Sequence, residues 1–156
     1  MATYGTTDRL TGGTASADTE YGAQVAALAC DDNASTYWES TDSAFPHWWK
    51  YDFGAGVLWR IGKLTLTCAT ISDGIGIKNF TLQGSNDDSS YTVVYTGVTT
   101  NISTIQTFSF VNNRLFRYYK LNVTDDWETG YNYCNINEIQ MFEMINQAGS
   151  FLLNLI

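Results

Sequence analysis

The chain has 156 residues, enough for one domain with a sizeable core. Charged residues are only 15% of it, against an average near 25%, so Thr, Ser, Asn and Gln must supply the polar surface. With 16 acidic residues against 8 basic ones the net charge is −8, which argues against nucleic acid or an anionic membrane as partner and is compatible with neutral ligands or cations.

Residues 1–13, MATYGTTDRLTGG, contain no apolar h-region and do not read as a secretory signal. No apolar run approaches the length of a membrane span. Next comes the polar stretch 29–38, ACDDNASTYW, in which several neighbouring side chains offer oxygen. Strand-like runs then follow, separated by turn signals: HWWKYDFG at 47–54, RIGKLTLTCATI at 60–71, IKNFTLQG at 77–84 and YTVVYTGV at 91–98. IQTFSFV at 105–111 puts Ile105, Thr107 and Ser109 on one face and Phe108 and Phe110 on the other. LFRYYKLNV at 115–123, a long polar loop and INEIQMFEM at 136–144 complete the series. No helix is convincing. About eight main strands, rich in β-branched and aromatic residues, predict an all-β fold, a β-sandwich. Pro46 falls in a loop, where it costs no ladder hydrogen bond.

The three cysteines have no zinc spacing. Leu64, Leu66 and Cys68 share a strand face, so Cys68 reads as a buried thiol. A disulfide between Cys30 and Cys134 is left open. Residues 1–143 form the expected domain. The apolar tail 144–156, ending SFLLNLI, is expected to pack on this domain or on a partner. Paired acids invite a glycosidase reading, but nothing holds two carboxyls at a defined separation, and no Ser/His/Asp arrangement stands out. The chain is therefore expected not to be an enzyme.

The order of segments carries more. GGTASADTEYGAQVAALACDDNASTYW, HWWKYDFG, IGKLTLTC, IKNFTLQGSND, FRYYKLNV and INEIQMFE, from about residue 12 to residue 143, resemble the discoidin family. This is the coagulation factor V/VIII type C domain, which includes the family 32 carbohydrate-binding modules. The resemblance implies a jelly-roll β-sandwich of the galactose-binding-domain type, non-catalytic, that binds through loops at one end. Sugar-binding relatives hold a structural calcium in the loop corresponding to 29–38. Carried over residue by residue, that places Asp31, Asn33, Thr36 and Glu138 around the ion, with a backbone carbonyl near Ala29. Calcium accepts such a mixture of carboxylate, amide, hydroxyl and carbonyl oxygens. The alternative is a set of Asx-turns with no metal. Asp32 stands where relatives carry glycine, and Asp tolerates positive φ better than most residues do.

The resemblance also gives Trp38 and Trp48 structural roles in the core, makes Arg117 structural, and points to Trp127, Tyr131 and Tyr133 in the loop before the last strand as ligand-binding aromatics. His47 and Arg114, in other loops, are further ligand candidates. Glycans or glycoconjugates are the expected partners, at an extracellular, cell-surface or virion location. The competing reading is a structural subunit of an extracellular or viral assembly, docking as a homo-oligomer or on another structural protein.

Overall fold

A computed structural model describes residues 1–41, 43–68, 76–127 and 132–145. Eleven strands run in order: β1 Thr3–Asp8, β2 Thr14–Ala17, β3 Trp38–Glu39, β4 His47–Asp52, β5 Ile61–Thr67, β6 Ile77–Ser85, β7 Thr92–Val98, β8 Gln106–Ser109, β9 Tyr118–Asp126, β10 Asn135–Ile136 and β11 Glu138–Ile145. One 3-10 helix, Ala26–Cys30, interrupts them, and no α-helix forms among the described residues.

The strands build a four-stranded sheet, β1-β11-β5-β8, and a five-stranded sheet, β2-β4-β9-β6-β7, both antiparallel, plus the small ribbon β10-β3. The two large sheets form a sandwich. Period-2 alternation explains why. On β4, His47, Trp49 and Tyr51 are buried while Trp48, Lys50 and Asp52 are partly exposed. On β9, Tyr119, Leu121 and Val123 are buried between partly exposed neighbours. On β5, Ile61, Leu64 and Leu66 turn the other way into the same core. Rings from opposite sheets meet there: Phe80 of β6 lies 5.2 Å from Phe108 of β8, edge to face.

One expectation is corrected. Trp48 is not core; Trp49 is, with 0% exposure. The cause is parity. Trp48 and Asp52 are four residues apart on one strand and so share a face. Asp52 receives Nε and Nη2 of Arg117 at 2.7 and 2.8 Å on the outside of the sheet. That face cannot also be the core. Trp38 is buried as expected, and Arg117 has the structural role expected of it. β11 continues through Met144 and Ile145, past the boundary expected at 143. Residues 146–156, the rest of the apolar tail, lie outside the described residues.

The sandwich has two distinct ends. β6 runs from one to the other, so Ile77 and Ser85 are separated by roughly 26 Å. His47, Thr99 and Trp127 lie at the Ile77 end. The β6–β7 turn and the segment entering β9 lie at the Ser85 end.

Candidate functional site

At the Ile77 end, the chain returns from β9 and is fixed before it enters β10. Trp127 N–H donates to Gly76 O at 3.2 Å, and its indole Nε1–H donates to Thr99 Oγ1 at 2.9 Å. The Lys78 ammonium, paired with Asp125 at 2.7 Å, lies 5.4 Å from the ring centroid. The ring is only partly buried. It is thus held along its polar edge and retains exposed apolar surface, which suits a platform for the apolar side of a sugar. Tyr133 is also partly buried at this end. Tyr131 lies outside the described residues.

His47 does not serve as a ligand contact. It is 0% exposed, and both ring nitrogens are taken: Nδ1 lies 2.7 Å from Asp18 Oδ2, and Nε2 lies 2.7 Å from Asn132 O. A carboxylate and a carbonyl only accept, so the ring is placed to donate at both nitrogens, as imidazolium. Burial pulls its pKa down, but the Asp18 carboxylate and the Asn132 carbonyl outweigh this and leave it raised. Nε2 faces the Asn132 carbonyl and, among the described residues, no hydroxyl or thiol of a nucleophilic triad. The work of the pair is positional. Asn132 O also receives Ser43 N–H at 3.3 Å, so two loops are tied to the start of β4 at the same point.

Arg114 is exposed at the Ser85 end, with Nη1 3.4 Å from Thr92 Oγ1. There it lines a hollow of about 500 Å³ with Ser85, Asn86, Asp87, Ser90, Leu115 and Phe116. It cannot share a site with Trp127 and Tyr133, because the length of the sandwich lies between them.

The polar loop after the 3-10 helix brings together most of the predicted cation ligands. Asp31 Oδ1 accepts Asn33 N–H at 3.0 Å, and Asn33 Oδ1 accepts Ser35 N–H at 3.1 Å. Thr36 Oγ1 lies 2.9 and 2.8 Å from the two Asp31 carboxylate oxygens and 2.8 Å from Asn33 O. These are the hydrogen bonds of consecutive Asx-turns. Asn137 Nδ2–H donates to Ala34 O at 3.0 Å, tying the loop to the segment that opens β11. Asp32 has φ 60, the left-handed conformation that suits glycine. Asp32→Gly is therefore expected to stabilise the protein by about 0.5–1 kcal/mol, read from urea denaturation. A loss of stability would mean that its carboxylate is needed.

Glu138 is the exception in this loop. Both carboxylate oxygens are buried and make no hydrogen bond of good geometry, although the Asn33 N–H favours their charged form weakly. Burial, then the negative charges of Asp32, Asp31 and Asp8, push its pKa up to about 7. Asp8, which sequence reasoning missed, has its own carboxyl raised chiefly by burial; its Oδ1 accepts N–H groups of Met141 and Leu10 at 2.9 and 3.2 Å. Its place here follows from β1–β11 pairing, which links residues far apart in the chain. The carboxylates repel one another without forming a cage. No three His, Cys, Asp or Glu side chains among the described residues converge as metal ligands. Any cation must therefore also use amide, hydroxyl or carbonyl oxygens.

Cys30, Cys68 and Cys134 are all free thiols, so the bridge left open between Cys30 and Cys134 is not formed. Burial first, and then Glu138 and the neighbouring aspartates, push the Cys30 thiol up to about 12. Burial and its acidic neighbours thus disfavour the thiolate.

Comparison with known proteins places this geometry. The model of the F5/8 type C domain family matches residues 13–139. No curated protein matches the chain in sequence. Among solved structures, the family 32 carbohydrate-binding module of Clostridium perfringens NanJ, in complex with galactose, is similar with TM-score 0.75 and 20% identity, over 92% of this chain and 100% of that one. A second C. perfringens module, CpGH89CBM32-5 in complex with GalNAc-beta-1,3-galactose, has TM-score 0.75 and 17% identity, over 85% and 96%. Chitosan-binding module 1 of a Paenibacillus sp. IK-5 chitosanase/glucanase has TM-score 0.71 and 24% identity, over 86% and 97%. At these identities the likeness is one of fold.

Proposed function

The chain belongs to the F5/8 type C domain family, and from that premise we propose that it is a glycan-binding module that takes sugar at the Ile77 end and holds a structural calcium ion beside it. The observation that carries the sugar reading is Trp127. An indole held at its N–H by Thr99, on a backbone held by the Gly76 carbonyl, yet partly open, gives a preordered apolar surface with little left to immobilise. Tyr133 and the exposed Asn132 beside it add hydrogen-bonding groups at the same rim. The His47–Asp18 pair below them keeps the rim in register. Such a module works where glycans are displayed, on the outside of a cell or particle.

Calcium rests on Glu138. A buried carboxylate without a hydrogen bond of good geometry, facing other carboxylates, is a site of poorly compensated negative charge. Asp31, Asn33 and Thr36, with carbonyl oxygens of the loop near Ala29, supply the further oxygens that a hard cation needs. The ion would supply positive charge and hold the polar loop to the start of β11.

A glycan array in calcium buffer is expected to show binding, and titration calorimetry on the best hit should give about tenfold or greater weakening in Trp127→Ala. The variant should stay folded at the assay temperature, with a melting temperature lowered by no more than a few degrees. An array without hits, or a variant that binds as well as the parent, would overturn the sugar reading.

A further inference from the structure

The solvent face of the five-stranded sheet carries a second arrangement that the loop-end reading leaves unused. Lys50 of β4 and Lys120 of β9 are direct cross-strand partners. Like charges in that position are unfavourable. They stand together in a chain with 16 acidic residues and only 8 basic ones. Asp88 is the only acid that meets either of them in an ion pair among the described residues, at 2.7 Å from Lys50. Asp88 also accepts the Tyr91 hydroxyl, so its charge is already shared. The nearby Asp52 is committed to Arg117. Lys120 is left with the Tyr91 ring, 3.8 Å from its Nζ to the centroid. Burial first and then Lys50 pull its pKa down. This is a cationic pair with one counter-ion too few.

Aromatic side chains surround the pair. The outward parity that removes Trp48 from the core sets it on this face, with Lys50 Nζ 5.4 Å from its ring and 5.9 Å from that of Tyr118. The Arg117 guanidinium lies 4.7 Å from the Tyr118 ring centroid and helps fix that ring. Asn122, cross-strand partner of Trp48, offers an amide. Partly exposed rings, an amide and a surplus of ammonium charge on one sheet face are complementary to a sugar ring that bears an acid group.

We propose that this sheet face is a second binding surface, for a carboxylate-bearing glycan whose acid group sits between Lys50 and Lys120 and whose ring rests on Trp48 or Tyr118. It does not depend on the loop-end site. The acid group would relieve the Lys50–Lys120 repulsion, while the rings and Asn122 distinguish a sugar from a bare anion.

The test is titration of the intact protein with tetragalacturonate at low salt, beside a neutral galacto-oligosaccharide of the same length. Binding of the uronate should weaken about tenfold in Lys120→Gln and in Trp48→Ala, and should fall with salt. Lys120→Gln keeps or raises the melting temperature, so loss of fold cannot explain its effect. Trp127→Ala should leave uronate binding intact, which separates this surface from the loop-end site. Absence of uronate binding, or an affinity that Lys120→Gln does not change, overturns the proposal. So does binding of a poly-glutamate peptide as tightly as the uronate and without dependence on Trp48.

Discussion

Replacing Trp49 with alanine is expected to destabilise the protein by about 3–5 kcal/mol, whereas Trp48→Ala should cost under about 1 kcal/mol. The two residues are neighbours with the same side chain, so only the face of the strand separates them. Trp49 is fully buried, stacks on Tyr51 with centroids 6.1 Å apart, and donates its indole N–H to Ala26 O at 2.9 Å. Truncation leaves a large cavity and removes the donor from a carbonyl of the 3-10 helix. Trp49→Phe separates these effects. It keeps most of the apolar volume but not the hydrogen bond, and about 1–2 kcal/mol of the loss should remain. Urea denaturation of the three variants measures the differences, and the Trp49→Ala melting temperature should fall by on the order of 10 °C. Equal losses in Trp48→Ala and Trp49→Ala would mean that the parity of β4 is wrong. The core, and the outer face with Lys50 and Lys120, would then have to be redrawn.

That parity was legible before the fold. A W-x-x-x-D spacing on a strand puts both residues on one face, and an aspartate is almost never fully buried unless it is paired. The inference fails only where family likeness is allowed to override the period of two. Strands β5, β6, β9 and β11 are legible because alternation there is strong and turns flank them. β1, TYGTTD, has no apolar face of its own, and its partner β11 lies at the other end of the chain. β3 and β10 are two residues each, too short to carry any pattern. The site divides in the same way. Asp31, Asn33 and Thr36 lie within six residues of one another, so the family resemblance carries them over together and their Asx-turn hydrogen bonds are local. The partner of buried His47 is Asp18, 29 residues earlier, and Asp8 reaches the acidic loop only through sheet pairing. Neither leaves a local signal. Arg114 was a reasonable polar turn residue, but which end of a sandwich a turn occupies depends on the whole strand order.

Calcium and pH should act on this protein through Glu138, in opposite directions. Without metal, the raised pKa means that the native state holds the Glu138 proton up to about 7, while the unfolded chain releases it near 4.3. The contribution of the neutral carboxyl is therefore fully present below the unfolded pKa and is lost as pH rises through the folded one. Its size, discounted for partial solvent screening, is about 1–2 kcal/mol. In EDTA, wild type should lose stability from pH 4.5 to pH 8 by this amount relative to Glu138→Gln, which has no such proton. Calcium, in the proposed site, should reverse the order. It would compete with the proton for the same carboxylate and so bind more tightly above pH 7 than below it. At 100 times its Kd it stabilises wild type by about 2.7 kcal/mol. Glu138→Gln gives up one formal charge at the site and should gain far less. The stability curves of the two proteins should thus cross on adding calcium at pH 8 and fail to cross at pH 5. Thermal melts in EDTA and in calcium at both pH values measure this directly. Equal calcium responses in wild type and Glu138→Gln would remove Glu138 from the cradle. No response in either protein would leave the loop held by the Asp31–Asn33–Thr36 hydrogen bonds alone.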